Sequence, residues 1–222
     1  MSFSRLVILA LLALSLATGC RSAAPRAEGP VAARSHTVLL VSIDGMPASM
    51  LGDGTMPTLD ALAREGVRAQ WLRPSFPTLT FPNHYTLVTG LRPDHHGIVH
   101  NNMVDPALGR FVSKEASAKD GRWWGGEPIW VTYQRQGGRS ATMFWPGSEA
   151  EIAGARPAAY IPFDGKRTPA QRVGQVLAWL DQPASERPGL VTLYFEHYDV
   201  AAHAHGAVSP EARDALRAID AA

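Results

Sequence analysis

The run Thr37-Val38-Leu39-Leu40-Val41-Ser42-Ile43-Asp44-Gly45 decides the fold. Its aliphatic and β-branched residues follow one another without the polar alternation of a half-solvated strand. The run therefore predicts a strand buried on both faces, as in a parallel sheet, closed by a turn at Asp44-Gly45. Downstream, Pro57 to Gly66 carries apolar residues at helical spacing before a terminal glycine and predicts an amphipathic helix. Val67 to Leu72 predicts a second strand. Pro82 to Val88, closed by Gly90, predicts a helix, Ser140 to Phe144 a strand, Pro169 to Leu180 a helix, and Leu190 to Phe195 another buried strand. Ser209-Pro210-Glu211-Ala212 opens a last helix with a cap and a proline in its first turn, and Leu216 and Ile219 continue its apolar face. Strands alternating with helices give an α/β fold with a mainly parallel sheet. Ligands of such sheets bind beyond the carboxyl ends of the strands, where Asp44 and Asp199 both fall.

The chain has 222 residues, 45% of them hydrophobic, and a formal net charge of +1. That is enough for one sizeable domain with appendages. Basic and acidic residues are scattered singly, so there is no basic stripe to release counterions from a nucleic-acid polymer, which is excluded as a partner. The first twenty residues form an export signal: Arg5, an apolar run from Leu6 to Leu16, then Ala17, Thr18 and Gly19 before Cys20. Cys20 is the sole cysteine, which excludes a disulfide framework or a Cys-based zinc site. Its place resembles the acylated position of a bacterial lipoprotein signal, although Ala17 stands where such signals usually carry Leu. An ordinary cleaved signal is the alternative. The expectation is a lipid anchor at Cys20, a flexible Ala-, Arg- and Pro-rich tether over residues 21–36 and a folded domain over residues 37–222, which should be water-soluble once processed. Arg21-Ser22 lacks the aspartate associated with inner-membrane retention, which points to the periplasmic face of an outer membrane. No apolar stretch after position 20 is long enough to span a bilayer.

Asp44 in its turn could serve a ligand or only its own backbone. The segment Thr78-Leu79-Thr80-Phe81-Pro82-Asn83-His84-Tyr85 puts the Thr80 hydroxyl near a helix N-terminus, where free N–H groups and the dipole favour a phosphate. Serving merely as the helix cap is the other role open to Thr80. A threonine hydroxyl needs a base or a metal to become a nucleophile. Asp199 and His203 would share one helical face as oxygen and nitrogen ligands suited to zinc, against the plainer reading of surface polar residues. Trp123, Trp124 and Trp130 read as packing residues, and His95, His96 and His100 as structural or surface ones. Asp164-Gly165-Lys166 lacks the glycine spacing of a phosphate loop.

Together these segments resemble the nucleotide pyrophosphatase/phosphodiesterase family of the alkaline phosphatase superfamily, from about Thr37 to the last residue. The resemblance is carried by Ser42-Ile43-Asp44-Gly45, Thr80-Phe81-Pro82-Asn83-His84-Tyr85, Thr89-Gly90-Leu91-Arg92-Pro93 with His96-Gly97-Ile98-Val99, Trp123 to Trp130, Phe144-Trp145-Pro146-Gly147-Ser148, and Tyr194 through Asp199 to His203. It implies a three-layer α/β/α domain, here C-terminally incomplete, that hydrolyses phosphodiester or pyrophosphate bonds of nucleotides. By the family pattern Thr80 is the nucleophile, forming a covalent phospho-enzyme, and Asp44 with Thr80 belongs to one of two divalent metal ions, taken as zinc. Asp199 and His203 belong to the second ion. Asn101 contacts the phosphoryl oxygens, and Phe81 and Tyr194 flank the nucleobase unless they are simply core aromatics. The family's remaining ligands, an Asp-His pair before a Gly and a later His, are expected beyond Ala222, so the chain alone should bind metal weakly and turn over poorly. Two other functions are compatible: a phosphomonoesterase or phospholipid-headgroup hydrolase of the same superfamily, and an inactive envelope lipoprotein. A sulfatase is disfavoured because no cysteine lies near the nucleophile position.

Overall fold

The computed structural model describes residues 37–222, so the signal, Cys20 and the tether lie outside the described residues. Strands β1 (Val38–Ile43), β4 (Ser140–Met143), β5 (Ala159–Ile161) and β6 (Leu190–Phe195) form one sheet in the order β1-β6-β4-β5. Every pairing in it is parallel. A separate antiparallel hairpin joins β2 (Asn102–Asp105) to β3 (Gly109–Val112). Strands β4 and β6 occupy the middle of the sheet, and each of their residues is buried, as near-continuous apolar runs require.

Among the described residues seven α-helices alternate with the strands: α1 (Pro57–Glu65), α2 (Thr80–Thr89), α3 (Pro93–His96), α4 (Ile129–Arg135), α5 (Pro169–Leu180), α6 (His197–His205) and α7 (Pro210–Asp220). Successive side chains of a strand point to opposite faces. The Tyr194 ring meets His84 of α2, while that of its neighbour Phe195 lies near Arg172 of α5. Helices therefore cover both faces, giving the expected α/β/α layering around a parallel sheet. Thr168 and Gln171 start α5 with a reciprocal capping box, and Gly90 ends α2 in the left-handed conformation (φ 69°) that glycine adopts without a Cβ penalty. The main core gathers Tyr85, Trp124, Trp130, Trp145, Trp179 and the central strands. A smaller one of Met50, Met56, Tyr198, Ala212 and Leu216 locks α6 and α7 to the segment after β1.

Three expectations need correction. β1 is not buried on both faces: it pairs only with β6, and Val38, Leu39 and Val41 are 60%, 43% and 45% exposed. Among the described residues no strand joins its other edge. The segment Val67 to Leu72 forms no strand, and Val67, Trp71 and Leu72 are exposed. Strand-forming side chains make a strand only when a partner takes up the backbone groups. Third, β4 ends at Met143, because Phe144 turns into the left-handed region at φ 61°. The hairpin and β5 were not read from the sequence, being short and without a clear alternating pattern.

Candidate active site

The carboxyl ends of β1, β4 and β6 converge with the N-terminus of α2. After β1 the Asp44 N–H donates to the Phe195 carbonyl at 2.9 Å, holding the two strand ends together. Gly45 then turns the chain at φ 71°, and a Cβ there would stand 3.0 Å from Asp199 Oδ1. The turn after β1 and the first turn of α6 are thus in direct apposition, and the glycine admits the second carboxylate.

Thr80 is the first residue of α2, and Leu79 takes the N-cap position. Capping is therefore not the job of the Thr80 side chain: its hydroxyl donates to Asp44 Oδ2 at 3.1 Å. The terminal donors are fewer than the sequence suggested. Pro82 has none, and the Phe81 N–H donates to Asn101 Oδ1 at 2.9 Å. With its oxygen turned to Phe81, the Asn101 amide presents its NH2 group the other way, as a donor.

Asp44 Oδ2 also accepts the Tyr194 hydroxyl at 2.8 Å. Burial first, and the Asp44 charge second, push the Tyr194 phenol well above its ordinary range, so it remains a donor. Of the two roles open to it, the structure shows the core one: the ring is 6% exposed and lies edge-on to His84, with its polar tip on Asp44. Phe81 is half-buried against Phe111 and Trp124.

Asp199 and His203 lie on one face of α6, with His203 Nε2 3.4 Å from Asp199 Oδ1 and the imidazole largely exposed. Burial, then the Asp44 charge, raise the Asp199 carboxyl above its ordinary value, while His203 and His84 oppose this. Two carboxylates that repel each other beside a hydroxyl and an imidazole form a donor set that suits divalent cations. The set is sparse: among the described residues no three His, Cys, Asp or Glu side chains converge. Each cation would have two protein ligands, Asp44 with Thr80 and Asp199 with His203, where catalytic zinc usually has three.

His84, part of the Thr80 motif, carries no role of its own in the sequence. It is 5% exposed, with Nδ1 2.7 Å from the Thr80 carbonyl oxygen and Nε2 2.8 Å from Ser42 Oγ. Its helical position four residues after Thr80 was the available signal. Trp123, Trp124 and Trp130 are buried, as expected. His96 is buried between Thr86 and the Ile98 N–H, and His100 accepts from the Asn102 N–H, both local structural roles. No described helix is long and apolar enough to cross a membrane.

A family model described as type I phosphodiesterase / nucleotide pyrophosphatase matches residues 38–222. An uncharacterised pyrophosphatase/phosphodiesterase of Schizosaccharomyces pombe is 44% identical over 187 residues, covering 83% of this chain and 39% of the relative. Human ectonucleotide pyrophosphatase/phosphodiesterase family member 1 is 42% identical over 194 residues, covering 86% and 21%. The solved structure of murine ectonucleotide pyrophosphatase/phosphodiesterase 5 superposes with a TM-score of 0.78 at 34% identity, covering 84% of this chain and 50% of that one. An inactive threonine-to-alanine form of that murine protein, in complex with AMP, matches with the same TM-score. The chain spans half or less of the length of these relatives.

Proposed function

The chain belongs to the type I phosphodiesterase / nucleotide pyrophosphatase family, and from that premise we propose that it carries the nucleophile and part of the metal-binding apparatus of a nucleotide phosphodiesterase. The observation that supports this most is the Thr80 hydroxyl held on the Asp44 carboxylate at the start of a helix, with the Asn101 amide beside it. Thr80 Oγ1 attacks phosphorus, the bond to the leaving alcohol or phosphate breaks, and water later displaces Thr80 from the phospho-enzyme. The Asp44 carboxylate orients the hydroxyl for that attack, and the Asn101 NH2 group donates to the phosphoryl oxygens. Two divalent cations, zinc by this donor chemistry, are assigned to Asp44 with Thr80 and to Asp199 with His203; when bound they supply the charge that makes an alkoxide affordable at neutral pH. The AMP-bound murine relative supports a nucleotide as substrate. Phe81, the half-buried neighbour of Thr80, is the aromatic face assigned to the base.

The test is release of nitrophenol from p-nitrophenyl thymidine monophosphate by the purified chain with added zinc, beside Thr80→Ala and beside the monoester p-nitrophenyl phosphate. Slow zinc- and Thr80-dependent release from the diester is expected, because each cation has only two protein ligands among the described residues. Faster cleavage of the monoester would move the assignment to a phosphomonoesterase, and release unaffected by Thr80→Ala would refute the nucleophile. For the segment outside the described residues we retain the lipid anchor at Cys20, facing the periplasm. Fatty-acid labelling in a bacterial host that persists in Cys20→Ala would refute it.

A further inference from the structure

We propose that His84 is a positioning residue which, as the Nδ1–H tautomer, sets the distance between the Thr80 side chain and the strand end that carries Asp44. A carbonyl oxygen only accepts, so the 2.7 Å contact with the Thr80 oxygen places the proton on Nδ1. The other tautomer would set a nitrogen lone pair against that oxygen. Nε2 is then the acceptor, and the Ser42 hydroxyl donates to it at 2.8 Å. Ser42 lies on β1 two residues before Asp44, on the same side of the strand by its pleat. One imidazole therefore ties the first turn of α2 to the end of β1.

The tie acts on a single peptide unit. The Thr80 carbonyl is engaged by His84 Nδ1, and the N–H of the same peptide group, that of Phe81, is engaged by Asn101 Oδ1 at 2.9 Å. With both polar atoms held, the unit cannot rotate, and the direction of the Thr80 side chain is set with it. The imidazole cannot swing away, because Tyr194 stands edge-on at 5.0 Å between centroids and Trp145 at 5.3 Å. Trp145 Nε1 in turn donates to the His84 carbonyl at 3.1 Å, so the end of β4 joins the same assembly. His84 itself is placed away from the reacting atoms and acts through Thr80.

Its consequence for turnover rests on the reading of Thr80 as nucleophile, but its geometry can be tested without that reading. Nitrogen-15 spectra of the histidine-labelled chain should show His84 as the Nδ1–H tautomer, and an Nε2–H tautomer would overturn the proposal. Ser42→Ala removes only the hydroxyl and should shift or broaden the Thr80 methyl resonance. His84→Ala should do so more strongly, and His84→Asn, whose amide nitrogen stands near the Nδ1 place, should partly restore it. A Thr80 resonance unmoved in folded Ser42→Ala and His84→Ala overturns the positioning role whether or not the chain is active. With p-nitrophenyl thymidine monophosphate, Ser42→Ala should lower kcat about tenfold, the rate equivalent of one hydrogen bond, with KM unchanged. A raised KM at constant kcat would refute the role. If the wild-type chain shows no Thr80-dependent turnover, the functional reading fails and the spectra alone decide the positioning.

Discussion

Replacing Arg172 with Met should be among the most destabilising single changes in this protein. The guanidinium is fully buried, yet it donates to the Tyr194 carbonyl at 2.9 Å, the Arg167 carbonyl at 3.2 Å and both carboxylate oxygens of Glu196. It also lies 4.7 Å over the ring of Phe144, the residue held at φ 61°. Methionine fills much of the same volume but leaves the Glu196 carboxylate, whose side chain is 13% exposed, without its counter-charge. Stranding one member of a buried pair costs about 3–5 kcal/mol, against a total stability of about 5–15 kcal/mol for a domain. Urea unfolding read by tryptophan fluorescence should show that loss as a lower midpoint at constant slope. Adding Glu196→Gln should recover part of it, because the second change removes the stranded charge. A loss below about 1 kcal/mol for Arg172→Met would refute the reasoning, since it would mean that water or another group solvates Glu196.

Asp199→Asn should raise the melting temperature of the metal-free chain at pH 7 and reduce the further rise on adding zinc, leaving the part due to the Asp44 and Thr80 site. The raised Asp199 carboxyl disfavours the folded state once ionised, and this cost sets in as pH rises above the unfolded value; an unchanged or lower melting temperature in calorimetry would contradict it. Asp53 behaves oppositely: bonds from Thr55 and Arg213 hold it down to about 2 against an ordinary 3.8. Its contribution is present above the unfolded value and lost as pH falls through about 2, so Asp53→Asn should flatten the acid limb of the stability curve. Asp220 of α7 accepts from the Thr58 and Leu59 N–H groups at 2.9 and 2.8 Å, capping α1 from a distant part of the chain. Asp220→Ala should cost about 0.5–2 kcal/mol in chemical denaturation, the range for a lost helix cap.

Much of the architecture was legible because it is written locally. The proline, the box residues Thr168 and Gln171 and the apolar spacing of α5 reproduce its bounds, and the run Leu190 to Phe195 is the central strand it looked like. The motif pattern likewise marked Asp44, Thr80, Asn101, Asp199 and His203, and the first four meet at one end of the sheet with His203 against Asp199. The roles of aromatic residues were less legible. Tyr194 reads equally as a stacking face or a core residue in sequence, and it is a buried core residue whose hydroxyl also reaches Asp44.

The sequence by itself determined the α/β class, the central strand and the helices α1, α2, α5 and α7, because spacing, caps and turn residues act over a few neighbours. Tertiary structure alone decided that β1 is an edge, that residues 67–72 form no ladder and that one imidazole joins Ser42 to Thr80. The physical reason is one of range. Burial, hydrogen-bond pairing and the charge felt by Asp199 depend on groups brought together from distant parts of the chain, as Tyr194 and Asp44 are across 150 residues. Local pattern carries no record of which partner will arrive.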